Sequence, residues 1–194
     1  MAVLDTRLIT SPIPEPNLVG VLNSSMPDEI GRLFAQCSRL SSIDSHHLRC
    51  HTAWVRVVLD TDVLVAALRS PTGASAALLR AALDETVTLL ANVALVLEYE
   101  AVCARVEHMT AAGISAKQLE VFLDAVAALV EPVESHFVWR PQLRDPADEM
   151  VLEAAVNGGA HAIVTFNRRD FGRVPAQFGI RVVLPRDALR SLLK

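Results

Sequence analysis

Val55-Arg56-Val57-Val58-Leu59-Asp60-Thr61-Asp62 is the stretch that decides the fold. Its first five residues are a short β-branched apolar run, which reads as a buried strand. The run ends abruptly in three polar residues, Asp60, Thr61 and Asp62. Downstream, helices are expected over 63–68 and 74–83, split by the turn Ser70-Pro71-Thr72-Gly73. A strand is expected over 86–90 and a single helix over 94–108. Ser115 is a good cap for a helix over 116–130, which must stop before Pro132. Val133 is expected to start a brief strand. Asp145-Pro146 opens a further helix, because Asp caps well and Pro fits the first helical position. That helix runs to Asn157 and ends at Gly158-Gly159. Strands over 162–165 and 181–184 and a last helix over 187–193 complete the pattern. Apolar strands alternating with helices imply an α/β fold: a three-layer α/β/α sandwich around a central, mainly parallel sheet of four to five strands.

Upstream of Val55 the texture changes. Residues 1–54 carry Pro12, Pro14, Pro16 and Pro27, two serine pairs and His46-His47. One short amphipathic helix is expected over 28–40, with Ile30, Leu33, Phe34 and Cys37 on one side. The rest is expected to be a poorly ordered N-terminal extension, leaving a domain at 55–194.

Composition narrows the function classes. The chain has 194 residues, 52% hydrophobic and 21% charged, with a formal net charge of −4. It has the apolar content for a sizeable core and no run near the ~18 residues of a membrane span. Its three cysteines, Cys37, Cys50 and Cys103, have no metal-like spacing, and a sparse odd count points to the reducing cytoplasm. The acidic balance argues against a protein that coats nucleic acid through phosphate charge alone. Nucleic acid remains open as a substrate if metal ions supply positive charge.

In open α/β sheets, ligands sit at the carboxyl ends of the strands. Asp60 falls at one such end, and Asn167 and Asp170 follow another. Asp145 and Asp148 open a helix; Val151, Leu152 and Ala155 lie on the same face as Asp148. Glu98 is similarly set among Ala94, Leu95, Ala101 and Val102. A carboxylate in such places is costly unless paired or bound to a cation. Each residue alone also has a structural reading as a cap or first-turn acid. Together, converging carboxylates repel each other, and oxygen-only ligands favour Mg²⁺ or Mn²⁺. Asp60, Glu98 and Asp148 are therefore expected to lie close enough to share one cation.

These residues resemble a known family. Val57-Val58-Leu59-Asp60-Thr61-Asp62-Val63-Leu64-Val65 is similar to the opening strand of PIN-domain ribonucleases, usually V-L-D-T-N-V-L-V. The likeness continues through Ser70-Pro71-Thr72-Gly73-Ala74-Ser75 and Leu97-Glu98-Tyr99-Glu100-Ala101-Val102. It resumes at Arg144-Asp145-Pro146-Ala147-Asp148-Glu149-Met150 and ends with Ala162-Ile163-Val164-Thr165-Phe166-Asn167-Arg168-Arg169-Asp170-Phe171. The resemblance spans about residues 55–193 and is nearest to the toxins of bacterial toxin–antitoxin pairs.

That resemblance implies a metal-dependent endoribonuclease that uses Mg²⁺ or Mn²⁺ and leaves a 5′-phosphate and a 3′-hydroxyl. Asp60, Glu98 and Asp148 match the family's catalytic and metal-binding acids. Asn167 falls where many members have a fourth acid; Asp170 or Asp145 is left to compensate. Asp62 replaces the family's usual Asn, which adds a negative charge beside the metal. Thr61 and Thr165 match supporting hydroxyls. Arg140, Arg144, Arg168, Arg169 and Arg173 flank the expected edge, with Arg144, Arg168 and Arg169 the candidates for holding RNA. Family members begin within a residue or two of the first strand, so the likeness implies that residues 1–54 are a gene-start artefact or a non-functional extension.

Two partners are also expected. Helices 74–83 and 94–108 are apolar around much of their circumference, a surplus that fits a homodimer and an antitoxin helix in a groove. Two competing readings stand beside the toxin. One is a PIN-like module that binds RNA or a protein without cleaving. The other is a receiver-like protein with Asp60 as phosphoacceptor, disfavoured because no lysine occurs near the later strands, where a receiver would need one, and no Gly-rich loop follows the first.

Overall fold

In a computed structural model of the chain, the structure describes residues 55–136 and 140–192. The extension over 1–54, including the helix expected at 28–40, lies outside the described residues. Strand β1 (Val55–Leu59) stands at the centre of a five-stranded sheet. The other strands are β2 (Val87–Ala91), β3 (Val130–Pro132), β4 (Ala162–Val164) and β5 (Arg181–Val183). Their order is β3-β2-β1-β4-β5, and every pairing is parallel. Val57 is in register with Leu89 on one side and Ala162 on the other. All strands thus point their carboxyl ends to one edge.

Parallel strands need crossovers, and helices supply them on both faces. Helices α1 (Thr61–Arg69) and α2 (Ala74–Leu83) follow β1, and α3 (Val93–Cys103), α4 (Val106–Ala112) and α5 (Ala116–Leu129) follow β2. A 3₁₀ turn (Pro146–Asp148) leads into α6 (Glu149–Asn157), which packs on β1, β2 and β4. Two single-turn helices, α7 (Arg168–Phe171) and α8 (Val174–Gln177), precede β5, and α9 (Pro185–Leu192) packs back on α2. With helices on both faces, Val57, Val58, Ala162, Ile163 and Val164 are wholly buried. The three-layer architecture expected from the sequence is the one observed.

Several boundaries differ. The helix expected over 94–108 breaks at Ala104-Arg105, where the chain turns and restarts as α4. Neither Pro nor Gly marks that break, so periodicity alone misses it. The strand expected at Val133 comes earlier, at Val130–Pro132, where it reaches the edge of β2. The helix expected from Asp145 begins as a 3₁₀ turn, although Asp145 does cap it through Ala147 N–H at 2.9 Å. The apolar surplus of α2 is spent within the chain: Leu78, Ala81 and Ala82 are buried, partly by α9. On α3 and α4 the surplus is exposed, at Val93 (76%), Leu97 (58%) and Val106 (76%).

Gly158 lets the end of α6 pack tightly. A Cβ there would lie 2.8 Å from Val133 Cγ2 and 2.9 Å from Leu90 Cδ1. Only glycine lets the end of α6 approach the sheet this closely.

Candidate functional site

Asp60 occupies the junction between β1 and α1. Its backbone N–H reaches the carbonyl of Val164 in β4 at 2.9 Å, locking the strand end. The side chain caps α1, with Oδ1 accepting Thr61 N–H at 2.7 Å. Oδ2 accepts the Thr165 hydroxyl at 2.7 Å. Asp60 is only 7% exposed. Burial pushes its pKa up, the bonds from Thr165 and Thr61 oppose that, and the charges of Asp170 and Glu98 add to the rise. Tyr99, buried in α3, donates its hydroxyl to the carbonyl of Leu59, which fixes α3 against the residue before Asp60.

Thr165 is the hub at the end of the neighbouring strand β4. Wholly buried, its oxygen also accepts Asn167 N–H at 2.8 Å, so the turn after β4 closes over it. Asp62 supports the same turn: Oδ2 accepts Phe166 N–H at 3.0 Å. Its other oxygen, Oδ1, is buried without a hydrogen-bond partner. Burial first, and then the charge of Asp60, lift Asp62 to about 6. The amide of Asn167 donates to Asp170.

Asp148 sits at the junction of the 3₁₀ turn and α6, half-buried. Burial is the largest cause lifting it to about 7; the charges of Asp60, Asp145, Asp170 and Asp62 add to it. Two acids that sequence reasoning passed over hold this corner in place. Glu149, 2% exposed, accepts the N–H groups of Gln142 (2.5 Å) and Leu143 (2.7 Å). Glu153, also buried, pairs with both donor arms of Arg140 at 2.7 and 2.9 Å. An acid on an amphipathic helix normally faces water, so the partners of Glu149 and Glu153 were not readable from spacing.

Asp60, Thr61, Asp62, Glu98, Asp148 and Asn167 line one cleft of about 790 Å³. The structure thus brings together residues up to 107 positions apart in sequence (Asp60 to Asn167). Asp145, Thr165 and Asp170 are not part of this lining; Asp145 and Asp170 act on Asp148 through charge. Arg144, Arg168 and Arg169 are exposed and do not line the cleft. Its basic side chains are instead Arg69 at the end of α1 and Arg105 at the N-cap of α4, and the imidazole of His108 belongs to the same lining. Sequence reasoning missed all three: an arginine on a helix such as Arg69 normally points to water, and the break that creates α4 and places Arg105 and His108 was not visible.

The donor set suits a hard divalent cation: it is all oxygen, its carboxylates raise one another's pKa, and Asp62 Oδ1 is a buried oxygen without a partner. As they stand, however, no three His, Cys, Asp or Glu side chains among the described residues are gathered tightly enough to hold an ion. Asp60, Glu98 and Asp148 share a cleft without being drawn to a common centre. Mutually repelling carboxylates have no reason to approach until a counter-charge is present. Among the described residues no helix is long and apolar enough to cross a membrane.

A family model described as PIN domain matches residues 56–169. The comparison with curated proteins and the comparison with solved structures gave no match.

Proposed function

Because the chain belongs to the PIN-domain family, a family whose members are in general nucleases, we propose that it is a metal-dependent endoribonuclease and the toxin of a toxin–antitoxin pair. The observation that carries this reading is the convergence of Asp60, Glu98 and Asp148, from β1, α3 and the start of α6, on one cleft. Mg²⁺ or Mn²⁺ held by these three, with Asn167 and Asp170, would acidify a bound water and offset charge on the phosphodiester. Cleavage would leave a 5′-phosphate and a 3′-hydroxyl.

The chain's own residues would set the geometry. Thr61 and Thr165 hold both oxygens of Asp60, so the carboxylate does not need to reorganise when it is used. Asp62 fixes the turn that carries Asn167. Asp145 caps the turn that presents Asp148. Arg144, Arg168 and Arg169, exposed beyond the cleft, would attract the RNA strand. The exposed Val93, Leu97 and Val106 would be covered by a second copy of the chain or by the antitoxin, which would bring a cation to the acids. The setting of the pair would be the cytoplasm.

The test is cleavage of single-stranded RNA by the purified chain in Mg²⁺ or Mn²⁺, with EDTA and Asp60→Asn as controls. Metal-dependent cleavage lost in Asp60→Asn supports the reading, and absence of cleavage in both metals overturns it. Expression of residues 55–194 should slow bacterial growth, and the Asp60→Asn form should not.

A second reading, a module that binds RNA or a protein without cutting it, is favoured by one observation. Asn167 brings no charge to the position of the fourth acid. Mn²⁺ titration separates the two, since a non-catalytic site should bind the ion poorly.

A further inference from the structure

We propose that Arg69, Arg105 and His108 form a phosphate-binding wall in the same cleft, gripping the backbone of a single nucleic-acid strand beside the bond that the acids address. The inference rests on the nuclease reading above and assigns a binding role to residues on α1 and α4.

Three observations support it. First, all three side chains line the cleft that holds Asp60, Asp62, Glu98 and Asp148. A cleft lined only by acids would repel a polyanion; cations on one wall give the strand a place to rest. Second, among the described residues neither arginine makes an ion pair, whereas Arg56 and Arg140 are both paired to glutamates. Four carboxylates line the same cleft, yet Arg69 and Arg105 are not bonded to any of them. Third, Arg105 stands at the N-cap of α4 and makes no capping bond with its side chain. Helix N-termini favour Ser, Asp or Asn and disfavour cations. A cation placed against that local preference, facing a cleft, is the kind of conflict that marks a binding role. Arg69, by contrast, suits its helix as well, because it lies in the last turn of α1.

A grip of this kind reads phosphates rather than bases, so it selects strand and charge but not sequence. His108, half-buried on α4, adds a ring N–H donor to the wall.

The experiment uses the full chain carrying Asp60→Asn, so that RNA is bound without being cut. Binding of a fluorescein-labelled single-stranded RNA is followed by anisotropy across a salt series at fixed magnesium. Arg69→Ala and Arg105→Ala should each lower the slope of log K against log salt by about 0.7 and weaken binding about fivefold at 0.1 M salt. Arg105→Lys should restore the slope. Arg181→Ala, at the start of β5, is the control and should change neither. In the cleaving chain, the same alanine variants should raise KM and leave kcat within about twofold, because phosphate contacts position the strand and do not act on the bond.

Unchanged slopes in folded Arg69→Ala and Arg105→Ala chains overturn the proposal, even if the wild type cleaves RNA. Reduced slopes in a chain that never cleaves uphold the wall and overturn the nuclease. No binding of single-stranded RNA by the Asp60→Asn chain overturns the wall, and the cleft then faces a protein partner instead.

Discussion

The hydroxyl of Thr165 donates to Oδ2 of Asp60 across 105 positions of sequence, joining the ends of two neighbouring parallel strands. The bond is short, wholly buried on the threonine side, and directed at a charged acceptor. It holds the acid still and also holds the turn through Asn167.

Thr165→Val keeps the shape and removes both roles of the hydroxyl. The variant should lose about 1–3 kcal/mol of stability, because the buried Asp60 oxygen and Asn167 N–H lose their partner. RNA cleavage should fall at least tenfold, while Thr165→Ser should recover most of it. Thermal melting and a cleavage assay decide this; a Val variant as active as wild type would show that the hydroxyl does not position Asp60.

Asp60→Asn should nearly abolish cleavage and should not lower the metal-free melting temperature. The amide removes one of several like charges, and its oxygen can still accept from Thr61 N–H to cap α1. A steep drop in melting temperature would mean that charge on Asp60 is needed for the fold.

The metal-free fold should grow more stable as pH falls from 8 to 6. Asp148 and Asp62 are lifted in the folded chain to about 7 and about 6, from 3.8. For an acid whose folded value is raised, the ionised form is disfavoured in the fold. The cost is full above the folded value, shrinks as pH falls through it, and is gone below 3.8. In EDTA the melting temperature should therefore be higher at pH 6 than at pH 8, and Asp148→Asn should narrow the gap. Saturating magnesium should narrow it too. A melting temperature that rises with pH over this range would contradict the mutual repulsion of these acids.

Leu97→Glu tests whether the exposed face of α3 is covered by a second copy. Leu97 is 58% exposed, so the substitution should leave the protomer folded, with an unchanged far-UV circular dichroism spectrum. Sedimentation at micromolar concentration should show a dimer for the wild type and a monomer for the variant. A wild-type monomer removes the dimer, and a variant dimer moves the interface elsewhere.

The sequence made the frame legible because strands and caps are local signals. Val55 to Leu59 is apolar but for Arg56, Asp60 ends it, and Ser115 and Asp145 cap the helical turns after them as their residue types require. The residues lining the cleft were less evenly legible. Asp60, Glu98 and Asp148 stood out as carboxylates in apolar company. Arg69 and Arg105 did not, because an arginine on a helix normally points to water and nothing nearby in sequence says otherwise. The break at Ala104-Arg105 was hidden for a related reason. It lacks a glycine or proline, and the direction of the chain beyond it is set by how α4 packs against α1 and α3. Glu149 was hidden because its partners, Gln142 and Leu143, offer backbone N–H groups that leave no trace in composition.

Helix α1 has a consequence as a ruler. Asp60 caps one end, and Arg69 is its last residue at the other. Nine residues at 1.5 Å each set the two about 14 Å apart along a rigid rod. In the proposed nuclease, the distance between the acid that would address a bond and the cation that would grip the strand is written in the residue count of one helix. A single inserted residue would lengthen the rod by only about 1.5 Å, but it would swing Arg69 about 100° around the axis and out of the cleft. On that reading the helix can vary in composition along its outer side, while its length would be held by the spacing of Asp60 and Arg69.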